Sequence, residues 1–205
     1  MTLVNVDPEN PANTAPATTI RDAGFGGVRI VSRNGLADFV TECHEAGLFV
    51  LACVNEQSHG YLVPGADLYQ IGNEPDIAGT NDSMPAQDYA GYAQLYRNTY
   101  RELPMITAGL ASGQPLYLRD VDIAGGLVGF NAIALHYPKD ATDINRFTKY
   151  AHGLPKVITE WWRPADHILE YKLELRKANV MLDAWFCWGY GQWALQPDQL
   201  RALRA

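Results

Sequence analysis

Eight short apolar or β-branched runs recur along the chain: Leu3–Val6, Gly27–Val31, Phe49–Val54, Leu68–Gly72, Met105–Leu110, Ala132–His136, Lys156–Thr159 and Leu182–Trp188. Their starts fall about 25 residues apart, with one longer gap. Polar residues do not alternate within the runs, the pattern of parallel strands covered on both faces. Helical patterns lie between most of them. Leu36, Phe39, Val40 and Cys43 mark one helix face that ends at Gly47. Ser83 is positioned to cap a helix with Pro85 in its first turn, and Tyr89, Tyr92, Ala93, Tyr96 and Tyr100 form its stripe. Ala17–Ala23, Ile144 to Ala151 and Ile168 to Leu175 supply further helical segments. Strict alternation of strand and helix implies right-handed crossovers and a parallel sheet, and eight repeats favour closure. The expected fold is α/β, a compact (β/α)8 TIM barrel forming one domain over residues 1–205. The linker Asn55–Asp67 carries two Gly and a Pro, so the third helix is expected to be shortened or missing. Only about two turns, Asp198–Ala205, follow the eighth run.

The chain has 47% hydrophobic and 19% charged residues, which suits a folded globule. A net charge of −7 without any basic run argues against nucleic acid as a partner. The apolar runs are strand-sized, so no membrane span is expected. No signal peptide is visible at Met-Thr-Leu-Val-Asn-Val-Asp, which suggests a protein kept inside the cell or released by another route. Cys43, Cys53 and Cys187 lack CxxC spacing and read as buried apolar fillers. A monomer is the expected state.

In a barrel of this kind the reactive groups sit at the carboxyl ends of the strands. Those ends offer Asp7, Arg29, Asn55 with Glu56, Asn73 with Glu74, Ser112, His136 with Tyr137, Glu160 with Trp161, and Trp188. Glu74 and Glu160 terminate the fourth and seventh runs, which face each other across an eight-stranded mouth. Glycoside hydrolysis needs such a pair, one carboxyl to protonate the leaving oxygen and one carboxylate at the anomeric carbon. No His-x-His or HExxH spacing suggests a catalytic metal, and no GxGxxG or P-loop suggests a nucleotide. No cofactor is therefore expected. Lys156 begins its strand, at the wrong end for an aldolase-type lysine.

These residues resemble a known family in order. Ile71-Gly72-Asn73-Glu74-Pro75 is similar to the acid/base motif of clan A glycoside hydrolases, and Ile158-Thr159-Glu160-Trp161 to their nucleophile motif. Ala134-Leu135-His136-Tyr137-Pro138 resembles the clan's sixth strand, Arg29 its second-strand arginine and Trp188 its eighth-strand tryptophan. The resemblance runs from Val28 to Trp188. It implies Glu74 as acid/base, Glu160 as nucleophile and Asn73 as the partner of a sugar hydroxyl. It implies further that Arg29 keeps the nucleophile ionised, that His136 or Tyr137 orients it, and that Trp188 is a stacking floor. Trp161 and Trp162 are open between sugar platform and packing. The clan's third-strand histidine has no clear counterpart: His59 is expected on a loop, and Asn55 or Glu56 could take its place.

The implied activity is a retaining hydrolase of β-glycosidic bonds in a polysaccharide or glycan, by double displacement. Short βα loops suggest internal cleavage in an open groove. The alternatives are an inactive carbohydrate-binding barrel and a phage-type enzyme that lyses cell-wall glycan.

Overall fold

A computed structural model describes residues 1–189, 191 and 194–204. Eight parallel strands close into a barrel in sequence order, with β1 beside β8. The strands are β1 (Thr2–Asn5), β2 (Gly27–Val31), β3 (Phe49–Val54), β4 (Leu68–Ile71), β5 (Met105–Leu110), β6 (Ala132–His136), β7 (Lys156–Trp161) and β8 (Val180–Trp185). The helices are α1 (Ala17–Asp22), α2 (Ala37–Glu45), α3 (Ala86–Thr99), α4 (Pro115–Ile123), α5 (Ala141–Arg146), α6 (Ile168–Lys177) and α7 (Pro197–Arg204).

Between β3 and β4 there is no α-helix, only a 3₁₀ turn at Glu56–Ser58. The segment instead plugs the wall with Val63, fully buried, whose carbonyl accepts from the Tyr69 hydroxyl at 2.7 Å. Helix α4 carries Pro115 at its start and buries Leu118 and Val121; its apolar face is too narrow to announce itself in the sequence. Ser83 does not cap α3. Pro85 occupies the N-cap position, without a side-chain cap, because its own ring presets the entry to the helix. β7 extends through Trp161, and β8 runs from Val180 to Trp185, so it stops short of Trp188.

Each strand buries both faces. Outward residues such as Val4, Ile30, Ile71 and Ile158 pack under the helices, and Tyr89 of α3 ties the two layers together. Its hydroxyl donates to the Ile71 carbonyl at 2.9 Å and accepts from the Ala108 amide at 2.6 Å. Inside the barrel, Leu3, Leu51, Ile106, Ala132, Ala134, Val157, Leu182 and Ala184 form a separate apolar plug. One pleat period above it the interior turns polar: Asn5 lies two residues past Leu3, and His136 two past Ala134. Arg29 and Gln70, both buried, complete that layer. The plug holds the wall and the polar layer above it builds the mouth.

Candidate active site

Arg29 organises the polar layer. Its Nη1 donates to Asn5 Oδ1 at 2.7 Å and to Glu160 Oε1 at 2.8 Å, its Nε to Gln70 Oε1 at 3.0 Å, and its Nη2 to Asn73 Oδ1 at 2.8 Å. Those acceptors lie on, or just beyond, three other strands, so the planar fork fixes their side chains at once. Asn5 is held in turn by donating Nδ2 to the Thr159 and Trp185 carbonyls, at 3.2 and 2.8 Å. Because Asn73 accepts through Oδ1, its Nδ2 is left without a partner among the described residues.

Glu160 faces inward through a slip in the pleat. Ile158 and Trp161, three residues apart, both pack in the outer layer, and the β7–β8 register shifts between them. A bulge of this kind re-aims the intervening side chain. The Tyr137 hydroxyl donates to Glu160 Oε2 at 2.5 Å. Burial alone would raise the Glu160 pKa. The His136 imidazole, the Arg29 guanidinium and the Tyr137 hydrogen bond outweigh it, so the carboxyl is held below its ordinary value. Burial, and then the neighbouring Glu160 charge, pushes the Tyr137 hydroxyl up, so it stays a donor.

Which of His136 and Tyr137 points inward was open in the sequence, and both do. His136 follows the pleat, and Tyr137, just past β6, adopts a left-handed backbone with φ of 48° that turns its ring back to the mouth. His136 Nδ1 lies 2.9 Å from Glu74 Oε1, and its Nε2 lies 3.7 Å from Glu160 Oε1. Glu74 is also left-handed, with φ of 50°, and its amide donates to the Gly109 carbonyl at 3.0 Å. Two such non-glycine residues at one mouth are strained backbone of the kind that gathers where side chains must converge. An oxygen of Glu74 and an oxygen of Glu160 lie within 4.8 Å of each other.

The same three side chains, Glu74, His136 and Glu160, are the one set among the described residues whose donor atoms could meet around a metal ion. The Glu160 oxygens already accept from Arg29 and Tyr137, and a cation would sit against the guanidinium. The donor set therefore fits a proton-handling pair better than a metal.

The cleft has two compartments beside the pair. One, of about 340 Å³, is lined by Asn5, Asp7, Arg29, Asn73, Glu160 and Phe186 among others. The other, of about 580 Å³, is lined by Glu74, Tyr137, Trp162, Arg163 and Phe186. At the rim, Arg33 reaches Asp7 at 3.3 Å, Glu9 at 2.7 Å and Gln57 at 2.9 Å, joining the loops after β1, β2 and β3.

Two aromatic assignments need correction. Trp161 is fully buried outside the barrel, 5.0 Å from Trp185 and 4.9 Å from Tyr171, with Nε1 donating to Asp183. It is packing, and its neighbour Trp162 reaches the cleft. Trp188 lies beyond β8 and meets Phe25 edge-on at 6.3 Å in the outer layer. Phe186 takes the place at the cleft, with its ring 5.7 Å from that of Tyr137. Ser112 serves structure, donating Oγ to Asp76 Oδ2 at 2.5 Å. His59 is on a loop, and Asn55 borders the cleft. Asn5 and Gln70 were not singled out in the sequence, although each is a polar residue in an apolar strand. Their signal was the pleat period counted upward from the plug.

No family model matches the chain, and no curated protein matches it. Solved structures do. A GH30 endoxylanase from Clostridium papyrosolvens C71 aligns over 98% of this chain and 67% of its own, at 11% identity and a TM-score of 0.64. A GH128 subgroup III curdlan-specific exo-β-1,3-glucanase from Blastomyces gilchristii aligns over 98% of this chain and 97% of its own, at 17% identity and a TM-score of 0.67. The homocysteine methyltransferase MmuM from Escherichia coli aligns over 100% of this chain and 95% of its own, at 14% identity and a TM-score of 0.63. The chain thus has the (β/α)8 fold found in glycoside hydrolases and shares that fold with enzymes of other chemistry.

Proposed function

We propose that this chain is a retaining β-glycosidase that cleaves a polysaccharide or glycan internally, by double displacement. One observation carries the reading: carboxylate oxygens of Glu74 and Glu160 come within 4.8 Å of each other, yet their surroundings differ. Carboxyl groups about 5–5.5 Å apart fit a covalent intermediate, whereas inversion leaves room for a water between them. Glu160 is buried, paired with Arg29 and held ionised, as a nucleophile must be. Glu74 is the more exposed partner and lines the larger compartment, where a leaving group would sit.

In the first step Glu160 Oε attacks the anomeric carbon while Glu74 gives its proton to the glycosidic oxygen, and the C–O bond breaks. In the second step Glu74, now a carboxylate, takes a proton from water, whose oxygen displaces Glu160 from the sugar. His136, in contact with both carboxyls, positions them. Asn73 offers Nδ2 to a sugar hydroxyl. Tyr137, Trp162 and Phe186 give the leaving sugar apolar faces on which its C–H surface packs. Room on both sides of the pair favours internal cleavage.

A mechanism-based fluoro-sugar inactivator tests the reading. Labelling of Glu160, with retained anomeric configuration in the first-formed product, is the expected result. Glu74→Ala should lose far more activity on sugar leaving groups than on activated aryl ones. Tight glycan binding without turnover would make the chain a binding protein instead.

A further inference from the structure

Strands β3 and β4 pair in register as far as Val54 and Ile71, and their last backbone bond runs from the Gly72 amide to the Val54 carbonyl at 2.6 Å. Past that bond the two chains are joined by a side chain instead. Asp82 Oδ1 accepts from the Glu56 amide at 2.7 Å, and Oδ2 accepts from the Asn73 amide at 2.9 Å. One carboxylate bridges the two chains where their own ladder has stopped.

The bridge ends one residue before Glu74. The left-handed backbone of Glu74 is one that a non-glycine residue holds only when its surroundings impose it. On the β5 side the Gly109 carbonyl accepts the Glu74 amide at 3.0 Å. Within the loop, the Glu74 carbonyl accepts from the Ile77 amide and from the Thr80 hydroxyl, both at 3.1 Å. On the β3 side the grip on this backbone is Asp82, through the Asn73 amide. Asp76, another clamping carboxylate of the same loop, reaches the Ala111 and Ser112 amides beyond β5 instead, at 3.1 and 2.8 Å.

An acid at this place has a cost. Burial pushes the Asp82 carboxyl above its ordinary pKa; the two amides oppose this, and the charges of Glu56 and Glu74 add to it. No cation among the described residues offsets it. A neutral side chain would avoid that cost, but serine or asparagine presents one acceptor oxygen, not two set apart for two chain ends.

The structure assigns Asp82 a positioning role in catalysis: through the Asn73 amide it holds the Glu74 carboxyl beside His136 and across from Glu160, where its proton meets the glycosidic oxygen. The inference rests on the glycosidase reading above. Asp82 acts through the backbone and stands apart from the reacting atoms.

A comparison of leaving groups tests it, with β-linked disaccharides of glucose, xylose, mannose and galactose attached either to dinitrophenol or to a further sugar. The value of kcat/KM reports the first chemical step, in which a sugar leaving group needs the Glu74 proton and dinitrophenol does not. In Asp82→Ala and Asp82→Asn, kcat/KM on the sugar leaving group should fall about tenfold or more, as when a proton donor is slightly misplaced, and should stay within about twofold on dinitrophenol. Asp82→Asn keeps the side-chain volume and carries the test if thermal melts show that the alanine variant does not fold. Equal losses on both leaving groups would make Asp82 a residue of the fold alone and overturn the role, and unchanged rates on both would overturn it too. Either result leaves the glycosidase reading intact, because wild type still turns over. A wild type that turns over none of the set overturns both.

Discussion

A Cβ placed on Gly109 would fall 1.9 Å from Nε2 of His136. The missing side chain on β5 is the space in which the imidazole stands. Gly109→Ala must therefore displace His136 or bend β5, at a cost of about 1–3 kcal/mol for overpacking. Since His136 touches both carboxyls, kcat should fall about a hundredfold, the usual consequence of a small misplacement near reacting groups. Urea unfolding and single-turnover kinetics on the same sample separate the two effects. Wild-type kcat in Gly109→Ala would show that His136 has no positioning role.

Tyr137→Phe removes a hydrogen bond that favours ionised Glu160. The Glu160 pKa should rise, so the acidic limb of kcat/KM moves to higher pH. A depressed carboxyl contributes stability above its unfolded pKa and loses it as pH falls through the folded value. The variant should therefore be less stable than wild type near neutrality, and the gap should close in acid. pH–rate profiles and thermal melts across pH measure the two shifts, and an unmoved acidic limb would count against Tyr137 as a partner of the nucleophile.

Arg29→Lys keeps the charge but replaces a planar fork serving Asn5, Gln70, Asn73 and Glu160 with a point donor. Activity should drop about a hundredfold, as when a preorganised electrostatic group is lost. The melting temperature should fall as well, because Asn5 and Gln70 are buried and lose a donor. Steady-state kinetics with calorimetry checks this, and full activity with a lowered Tm would assign Arg29 to the scaffold alone.

Asp183 has the opposite sign. It is 8% exposed, and burial raises its pKa, although Trp161 and Thr2 donate to it. A raised folded pKa gives stability that is complete below the unfolded pKa and is lost as pH rises through the folded value. Asp183→Asn should therefore melt higher than wild type at neutral pH and equally near pH 3, below the ordinary carboxyl value of 3.8. A lower melting temperature at neutral pH would mean that the charge on Asp183 is needed.

The barrel was legible in the sequence because its signal is periodic: Ile30, Val50 and Ile133 belong to runs that no amphipathic strand would show. Glu74 and Glu160 were legible as carboxyls closing such runs. What escaped was set by slips in the pleat. Nothing local tells that β7 shifts register between Ile158 and Trp161, so Glu160 and Trp161 both looked like mouth residues when only one is. Trp188 was misplaced because β8 ends at Trp185 and gives its cleft position to Phe186. The left-handed backbone at Tyr137 is likewise invisible in a tyrosine, whereas in a glycine it would have been suspected.

The segment that replaces the third helix also lends Asn55 and Gln57 to the cleft. Backbone that both seals the wall and touches a ligand lacks the regular ladder that protects a helix, so its amides should exchange with solvent earlier than those of the neighbouring strands. Warming would then loosen the grip on one end of a bound chain while the carboxyl pair is still assembled, and a saturating ligand would slow that exchange by holding the segment shut.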